Sequence, residues 1–157
     1  MKIVSKSVKE TLAIGRKISG YLGKGGIVCL FGQLGSGKTV LVKGMASGLG
    51  ISTEKIISPT FVLVRSYSDS RLPFYHFDLY RLGSLKDILD LGYEEYLYGA
   101  GVSVIEWADR LKKLLPKEHL AIKLSIKGND KRLLEFSAKG RHYEELLRSL
   151  RKDKRSK

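Results

Sequence analysis

The sequence contains a single cysteine, Cys29, so no disulfide can form within the chain. A lack of disulfides suits a reducing compartment. Because Cys29 lies inside an apolar run, we expect it to be a core residue rather than a nucleophile or a metal ligand. No apolar run reaches the roughly 20 residues of a membrane-spanning helix, and residues Met1 to Gly20 lack the apolar core of a signal peptide. We therefore expect a cytoplasmic protein without a membrane partner.

Acidic residues are also scarce. The 157 residues include 29 Lys and Arg but only 16 Asp and Glu, which gives a net charge of +13. Such an excess favours anionic partners, namely nucleotides, nucleic acid or an acidic protein surface. Basic residues crowd the last ten positions, so we predict one domain over residues 1–150 and a solvated basic tail over residues 151–157. Whether this tail contacts nucleic acid is left open.

The strongest motif present reads Gly-Gln-Leu-Gly-Ser-Gly-Lys-Thr over residues Gly32 to Thr39, and it fits the phosphate-binding loop pattern G-x-x-x-x-G-K-[ST]. Its glycines allow the backbone to curl so that successive N–H groups point at phosphate oxygens. Lys38 can reach the β- and γ-phosphates, and the Thr39 hydroxyl can ligate Mg²⁺. The residues predicted to bind the nucleotide here are Gly32, Leu34, Gly35, Ser36, Gly37, Lys38, Thr39 and Val40.

The context of this loop supports the match. The apolar run Ile27 to Phe31 predicts a buried strand before the loop, and residues Lys38 to Ser47 predict a helix after it. A helix N-terminus attracts phosphate because its free N–H groups point at the ligand and the positive end of the helix dipole lies there. We therefore predict a nucleotide-phosphate site.

The other segments predict an α/β fold, a single three-layer domain of the phosphate-loop NTPase type with a mixed sheet that includes antiparallel strands. The predicted helices are Ser7–Leu22, which begins with a capping-box pattern, two short pieces at Leu85–Leu91 and Tyr93–Leu97, a piece at Leu111–Leu115, and a final amphipathic helix that carries Tyr143 to Leu150. The predicted strands are Phe61–Val64 with Tyr67, Phe74–Asp78, Val102–Trp107, and a hairpin of Leu120–Ile126 with Leu133–Ser137.

Two predicted strands end in a carboxylate, Asp78 and Glu106. Enzymes with a phosphate loop need an acid near a neighbouring strand end to hold Mg²⁺, and ligands gather at the carboxyl edge of such sheets. Spacing alone does not divide the roles between the two acids. His76 lies between aromatic residues, so we expect a core or hydrogen-bonded histidine rather than a base. Trp107 is either a core residue or a residue that flanks the nucleotide.

The phosphate loop alone allows several classes of protein. Guanine specificity is disfavoured, because N-K-x-D and D-x-x-G are both absent and Asn129 is the only asparagine. A small-molecule kinase needs an acceptor site and an arginine-bearing lid. The arginines available for such a lid are Arg65, Arg71, Arg81 and Arg110, but no extra lid segment is evident. A nucleotide-gated adaptor or tRNA-binding module is the non-enzymatic alternative. An ATPase that acts as a switch on another protein suits the chain length best.

Several ordered blocks resemble the bacterial TsaE family, also called YjeE, whose members are small ATPases of tRNA threonylcarbamoyladenosine (t6A) synthesis. Besides the phosphate loop, the blocks are S-P-T-F at Ser58–Phe61, H-F-D-L-Y-R-L at His76–Leu82, G-Y-E-E-Y at Gly92–Tyr96 and I-E-W at Ile105–Trp107. The likeness covers about Ser7 to Pro116. The chain departs from the family pattern at Gln33, where an acid is usual, at Ser36, and at Lys86-Asp87, where an acidic pair is common.

The resemblance implies specific roles. ATP would bind at the loop with Lys38 as a catalytic residue, Mg²⁺ would be held by Thr39 and Glu106, and Asp78 would act in hydrolysis. The segment Ser58 to Phe61 would be switch-like.

The resemblance also brings Thr11, Trp107 and Arg132 near the nucleoside, although on physical grounds alone we expect Thr11 to face solvent. The implied partners are the TsaD and TsaB proteins, which transfer threonylcarbamoyl to adenosine 37 of tRNA. The family's ATP hydrolysis, weak without partners, is thought to enable repeated turnover of that machinery.

Overall fold

A mixed seven-stranded sheet with helices on both faces forms the fold seen in the computed structural model, which describes residues 1–59 and 61–155. Thr60 of the expected switch segment, and Ser156 and Lys157 of the expected tail, lie outside the described residues. The strands are β1 (Lys2–Ser5), β2 (Ile27–Phe31), β3 (Val64–Tyr67), β4 (Phe74–Asp78), β5 (Val102–Glu106), β6 (His119–Ile126) and β7 (Arg132–Lys139). The helices are α1 (Val8–Ser19), α2 (Lys38–Gly48), α3 (Leu85–Asp90), α4 (Tyr93–Leu97) and α5 (Arg141–Arg155), with 3₁₀ turns at Thr53–Lys55 and Ala108–Leu114.

The strand order is β1-β7-β6-β2-β5-β4-β3. Strands β6, β2, β5 and β4 run parallel to one another. At one edge β7 pairs antiparallel with β6 and β1 pairs antiparallel with β7, and at the other edge β3 pairs antiparallel with β4. The predicted mixed α/β architecture is therefore confirmed. The carboxyl ends of β2, β5 and β4 lie side by side, which is the edge where ligands bind in such sheets.

Two apolar clusters cover the two faces of the sheet. Alternate residues of β2 belong to different clusters, Val28 and Leu30 on the side of α1, α2 and α5, and Ile27 and Cys29 on the side of α3 and α4. This alternation follows from the period of two in a strand. Cys29 is fully buried, as expected, and burial raises the pKa of its thiol. Among the described residues, no helix has the length and apolar character needed to cross a membrane.

The structure confirms the predicted bounds of the strand before the phosphate loop and of Phe74–Asp78. Other predictions were wrong in detail. Strand β1 was not predicted, because its four residues form a short edge strand. The strand expected over Phe61–Val64 with Tyr67 begins only at Val64 and runs to Tyr67, since the Leu63 φ of 60° interrupts the extended backbone before it and Phe61 faces solvent.

Helix and strand ends shift for similar local reasons. Helix α1 ends at Ser19, before Gly20, rather than at Leu22. Strand β5 stops at Glu106, because Trp107 has a φ of 57°. Helix α5 continues through Arg155, past the expected start of the tail, and the Tyr21 hydroxyl donates to the Asp153 carboxylate. The division into a domain and a tail stays a prediction.

Helices α1 and α2 pack with their backbones in contact, which fixes the helix that leaves the phosphate loop. A Cβ at Gly44 would lie 2.3 Å from the Leu12 carbonyl oxygen, and a Cβ at Gly15 would lie 2.5 Å from the Leu41 carbonyl oxygen. Real side chains essentially never approach so closely, so only glycine fits at these positions. The close packing of α1 therefore sets the position of α2 and of the loop at its N-terminus.

We predict that Gly44→Ala destabilises the protein by about 1–3 kcal/mol, because the added methyl group must force the two helix backbones apart. Gly23→Ala is the matched control, since a Cβ at Gly23 meets nothing within 4 Å, and it should change the free energy of unfolding by less than about 0.5 kcal/mol. Urea denaturation of both variants measures the difference. Equal stability of the two variants would contradict the close packing of α1 on α2.

Candidate nucleotide-binding site

The phosphate loop, residues 32–37, connects β2 to α2 through three glycines in conformations that other residues rarely adopt. The φ angles are 144° at Gly32, 75° at Gly35 and 98° at Gly37. A Cβ at Gly32 would lie 2.5 Å from the Leu124 carbonyl oxygen, whereas a Cβ at Gly35 meets nothing within 4 Å. Gly32 is therefore required by close packing inside the fold, and Gly35 leaves open space over the loop, where a phosphate group fits.

Lys38 lies at the first position of α2, and its ammonium curls back over the loop. Its Nζ donates to the Gly32 carbonyl at 2.7 Å and to the Gln33 carbonyl at 3.0 Å, and it lies 4.1 Å from the centre of the Trp107 ring. Burial lowers the pKa of Lys38, and the nearby carboxylates of Glu106, Asp78 and Asp109 partly oppose this shift. The site thus holds a desolvated cation at the mouth of the loop, where its interaction with an anion is stronger than in water.

Thr39 and Glu106 join the loop helix to the end of β5. The Thr39 hydroxyl lies 3.0 Å from Glu106 Oε1 and 3.1 Å from Glu106 Oε2. Glu106 is only 2% exposed, and its Oε1 also lies 2.7 Å from His76 Nε2. A hydroxyl and a carboxylate are the oxygen donors that Mg²⁺ uses beside a nucleotide.

Asp78 lies next to Glu106, because the two residues are paired in register at the ends of β4 and β5. Its Oδ2 accepts a hydrogen bond from the Ser58 hydroxyl at 2.5 Å, and its Oδ1 accepts one from the Tyr80 backbone N–H at 3.1 Å. Two donors from different segments therefore fix the orientation of this carboxylate beside the loop.

A cavity of about 480 Å³ opens over these groups, within the range of small-molecule sites. It brings together most of the predicted binding residues. The lining residues are Leu34, Gly35, Ser36, Gly37, Lys38, Thr39, Val40, Ser58, Asp78, Tyr80, Arg81, Glu106 and Trp107.

Trp107, which we predicted to be either a core residue or a residue that flanks the nucleotide, lies at the wall of the cavity. The Trp107 ring is half-buried, lines the cavity, and contacts Tyr80 with ring centres 4.9 Å apart. Sequence reasoning did not single out Tyr80 as a site residue. Its place two residues after the strand-end acid Asp78 was the available signal.

Three of the predicted binding residues are not among the described residues that line the cavity, namely Gly32 of the loop, Arg132 and Thr11. Arg132 reaches the loop from β7, where its Nη2 donates to the Gly35 carbonyl at 3.4 Å. Thr11 is 3% exposed, its hydroxyl lies 2.7 Å from that of Ser5, and it is not among the described residues that line the cavity. The prediction that Thr11 faces solvent was wrong, because β1, which was not predicted, covers this part of α1.

The described residues contain no group of three or more His, Cys, Asp or Glu side chains that could hold a metal ion on their own. The Thr39 hydroxyl and the Glu106 carboxylate are oxygen donors of the kind that Mg²⁺ takes beside a nucleotide, where phosphate and water supply its other ligands.

Comparisons with known proteins agree on one family. The family model "Threonylcarbamoyl adenosine biosynthesis protein TsaE" matches residues 5–134. The tRNA threonylcarbamoyladenosine biosynthesis protein TsaE of Bacillus subtilis (strain 168) is 42% identical over 142 residues, covering 90% of this chain and 88% of that protein. The TsaE protein of Treponema pallidum (strain Nichols) is 45% identical over 132 residues, covering 84% and 96%. The crystal structure of Bacillus subtilis YdiB aligns with a TM-score of 0.86 at 36% identity, covering 98% of this chain and 95% of that one.

We predict that Lys38→Ala weakens ATP binding by about 10- to 100-fold, because a charge-assisted hydrogen bond to phosphate is lost. The fold should survive, since the hydrogen bonds that Nζ makes within the described residues all go to the loop itself, and its ring contact is with Trp107. Trp107 is the only tryptophan and lines the cavity, so its fluorescence can report binding directly.

The matched control is Lys43→Ala, on the same helix but not among the described residues that line the cavity. Its ATP affinity should equal that of the unchanged protein. A folded Lys38→Ala protein with normal ATP affinity would contradict the assignment of the phosphate site.

Proposed function

The chain belongs to the TsaE family of threonylcarbamoyl adenosine biosynthesis proteins, and on that premise we propose that it is a Mg²⁺-dependent ATPase serving the tRNA t6A modification complex. The observation that carries the proposal is the contact between Thr39 of the phosphate loop helix and the strand-end carboxylate of Glu106. This contact pairs the two oxygen donors that a phosphate-loop ATPase needs for its metal.

Binding of ATP is assigned to the loop backbone and Lys38. The N–H groups at the start of α2 and the Lys38 ammonium would hold the β- and γ-phosphates. Trp107 and Arg132 lie beside the loop and are proposed to flank the nucleoside. The absence of a guanine-recognition motif supports ATP over GTP.

Hydrolysis is assigned to two carboxylates with different tasks. Thr39 and Glu106 would hold Mg²⁺, which neutralises charge on the phosphate oxygens when it is bound. Asp78, whose oxygens accept from Ser58 and from the Tyr80 backbone, would orient the attacking water. Because donors from two segments fix Asp78, its position depends on the segment that contains Ser58, which supports a switch-like role for that segment.

Exposed apolar side chains around the cavity support dependence on a partner. Phe61 is 88% exposed, Leu34 is 69% exposed and Ile57 is 58% exposed. Leu34 lines the cavity, and Ile57 and Phe61 flank its lining residue Ser58 in sequence, with the Phe61 ring 5.2 Å from the Arg81 guanidinium. Large apolar side chains exposed beside a ligand site are typical of surfaces that a partner protein covers. We propose that TsaD and TsaB cover it, and that closure by them excludes water and raises a weak basal ATPase rate.

The first prediction distinguishes the role of Glu106 in binding the metal from the role of Asp78 in hydrolysis. Glu106→Gln removes an anionic oxygen that a hard cation prefers, so the variant should need at least about 10-fold more Mg²⁺ for half-maximal phosphate release. Asp78→Asn should instead lower the rate at saturating ATP and Mg²⁺ by about 100-fold or more, with the Mg²⁺ midpoint unchanged within twofold. A Mg²⁺ titration of ATPase activity, run with TsaD and TsaB present, measures both. A shifted midpoint in Asp78→Asn alone would reverse the two roles.

The second prediction concerns the biological role. With tRNA, an activated threonylcarbamoyl donor, TsaD and TsaB, the chain and ATP should together allow repeated t6A formation by each complex, whereas a non-hydrolysable ATP analogue should hold the yield to a single turnover. Counting t6A per complex by nucleoside mass spectrometry measures this. Equal yields with and without the chain would contradict the role, and a phosphorylated metabolite in the ATPase assay would favour a small-molecule kinase.

A further inference from the structure

We propose that His76 is a positioning residue that holds the carboxylate of Glu106 in the orientation needed to bind the metal. This inference rests on the proposed Mg²⁺-ATP function, and it gives a task to a buried histidine that the sequence marks as a core or hydrogen-bonded residue. It concerns a contact between neighbouring strands rather than a group that touches ATP.

The first support is the contact itself. His76 is fully buried, and its Nε2 lies 2.7 Å from Glu106 Oε1. An ionised carboxylate has no proton to donate, so Nε2–H must be the donor. His76 therefore carries its proton on Nε2 when Glu106 is ionised.

The second support is the other ring nitrogen of His76, Nδ1, which is buried and lacks a hydrogen-bond partner within the described residues. Burial of an unpaired polar atom is unfavourable, and an apolar side chain at this position would avoid that cost. Packing alone therefore does not explain a histidine here, whereas the bond to Glu106 does.

The third support is the way the two partners of Glu106 differ. Thr39 contacts both carboxylate oxygens and is itself proposed to bind the metal. His76 contacts only Oε1, from a strand in the interior of the sheet. Within the described residues, Oε2 accepts only from Thr39. His76 thus holds Oε1 and leaves Oε2 for the metal. Hydrogen-bond partners behind a metal ligand commonly set the orientation of that ligand in this way.

The test uses Mn²⁺ as a probe for the metal, measured by electron paramagnetic resonance with a non-hydrolysable ATP analogue present. His76→Leu removes the donor, and it should weaken Mn²⁺ binding by about 10- to 100-fold. His76→Gln retains an N–H group at similar reach, and it should recover most of the affinity. Analogue affinity in the presence of EDTA should change less than twofold in both variants, because the bond to Glu106 serves only the metal.

The matched control is His119→Leu. His119 is also buried, but its Nδ1 pairs with the Pro116 carbonyl at the start of β6, and it is not among the described residues that line the ATP cavity. This variant should lose stability in urea denaturation and keep its Mn²⁺ affinity within twofold. If His119→Leu weakens Mn²⁺ binding as much as His76→Leu does, the effect of His76 is merely structural and the proposal is wrong.

Other outcomes are equally decisive. A folded His76→Leu protein with Mn²⁺ affinity within twofold of the unchanged protein overturns the positioning role while the proposed function stands. If the unchanged protein binds no Mn²⁺ with the analogue, the proposed function fails and the inference fails with it.

Should His76→Leu not fold, nitrogen-15 NMR of the unchanged protein with Mg²⁺ and the analogue decides the question. The proposal requires the proton on Nε2, slow to exchange with solvent. An Nε2 that carries no proton would overturn it, because it could not donate to the Glu106 carboxylate.

Discussion

The hydrogen bonds from Thr39 to Glu106 tie the phosphate loop to the central strands of the sheet. Thr39 belongs to the first turn of α2, and Glu106 is the last residue of β5, so this contact joins the two elements between which the cavity opens. The rest of the structure supports it from both sides. Glycine packing against α1 fixes α2, and the parallel pairing of β5 with β2 and β4 fixes Glu106.

The charge distribution around this contact suits a phosphate ligand. Lys38 is a desolvated cation at the mouth of the loop, and Asp78 and Glu106 lie side by side at the strand ends. Two adjacent carboxylates repel each other unless cations lie nearby. Lys38 supplies one positive charge beside them, and the proposed Mg²⁺ would supply two more.

Local sequence signals predicted the parts of the site that depend on short segments. The phosphate loop, the strand before it and Phe74–Asp78 were predictable, because apolar runs and glycines act over a few residues. The burial of Thr11 was not predictable, since it depends on the short edge strand β1. The later start of β3 was not predictable either, because the apolar residues before it have the pattern of a strand although they are exposed. The bond between His76 and Glu106 depends on the register of two strands about 30 residues apart in sequence, and periodicity within one strand carries no information about such pairing.

A crystal structure of the chain with Mg²⁺ and a non-hydrolysable ATP analogue tests the central claim most directly. The account predicts the β- and γ-phosphates against the N–H groups of Gly35 to Thr39. It predicts the metal at about 2.1 Å from Thr39 Oγ1, with Glu106 bound to it directly or through one water. A nucleotide bound elsewhere, or a metal in contact with neither Thr39 nor Glu106, would contradict the account.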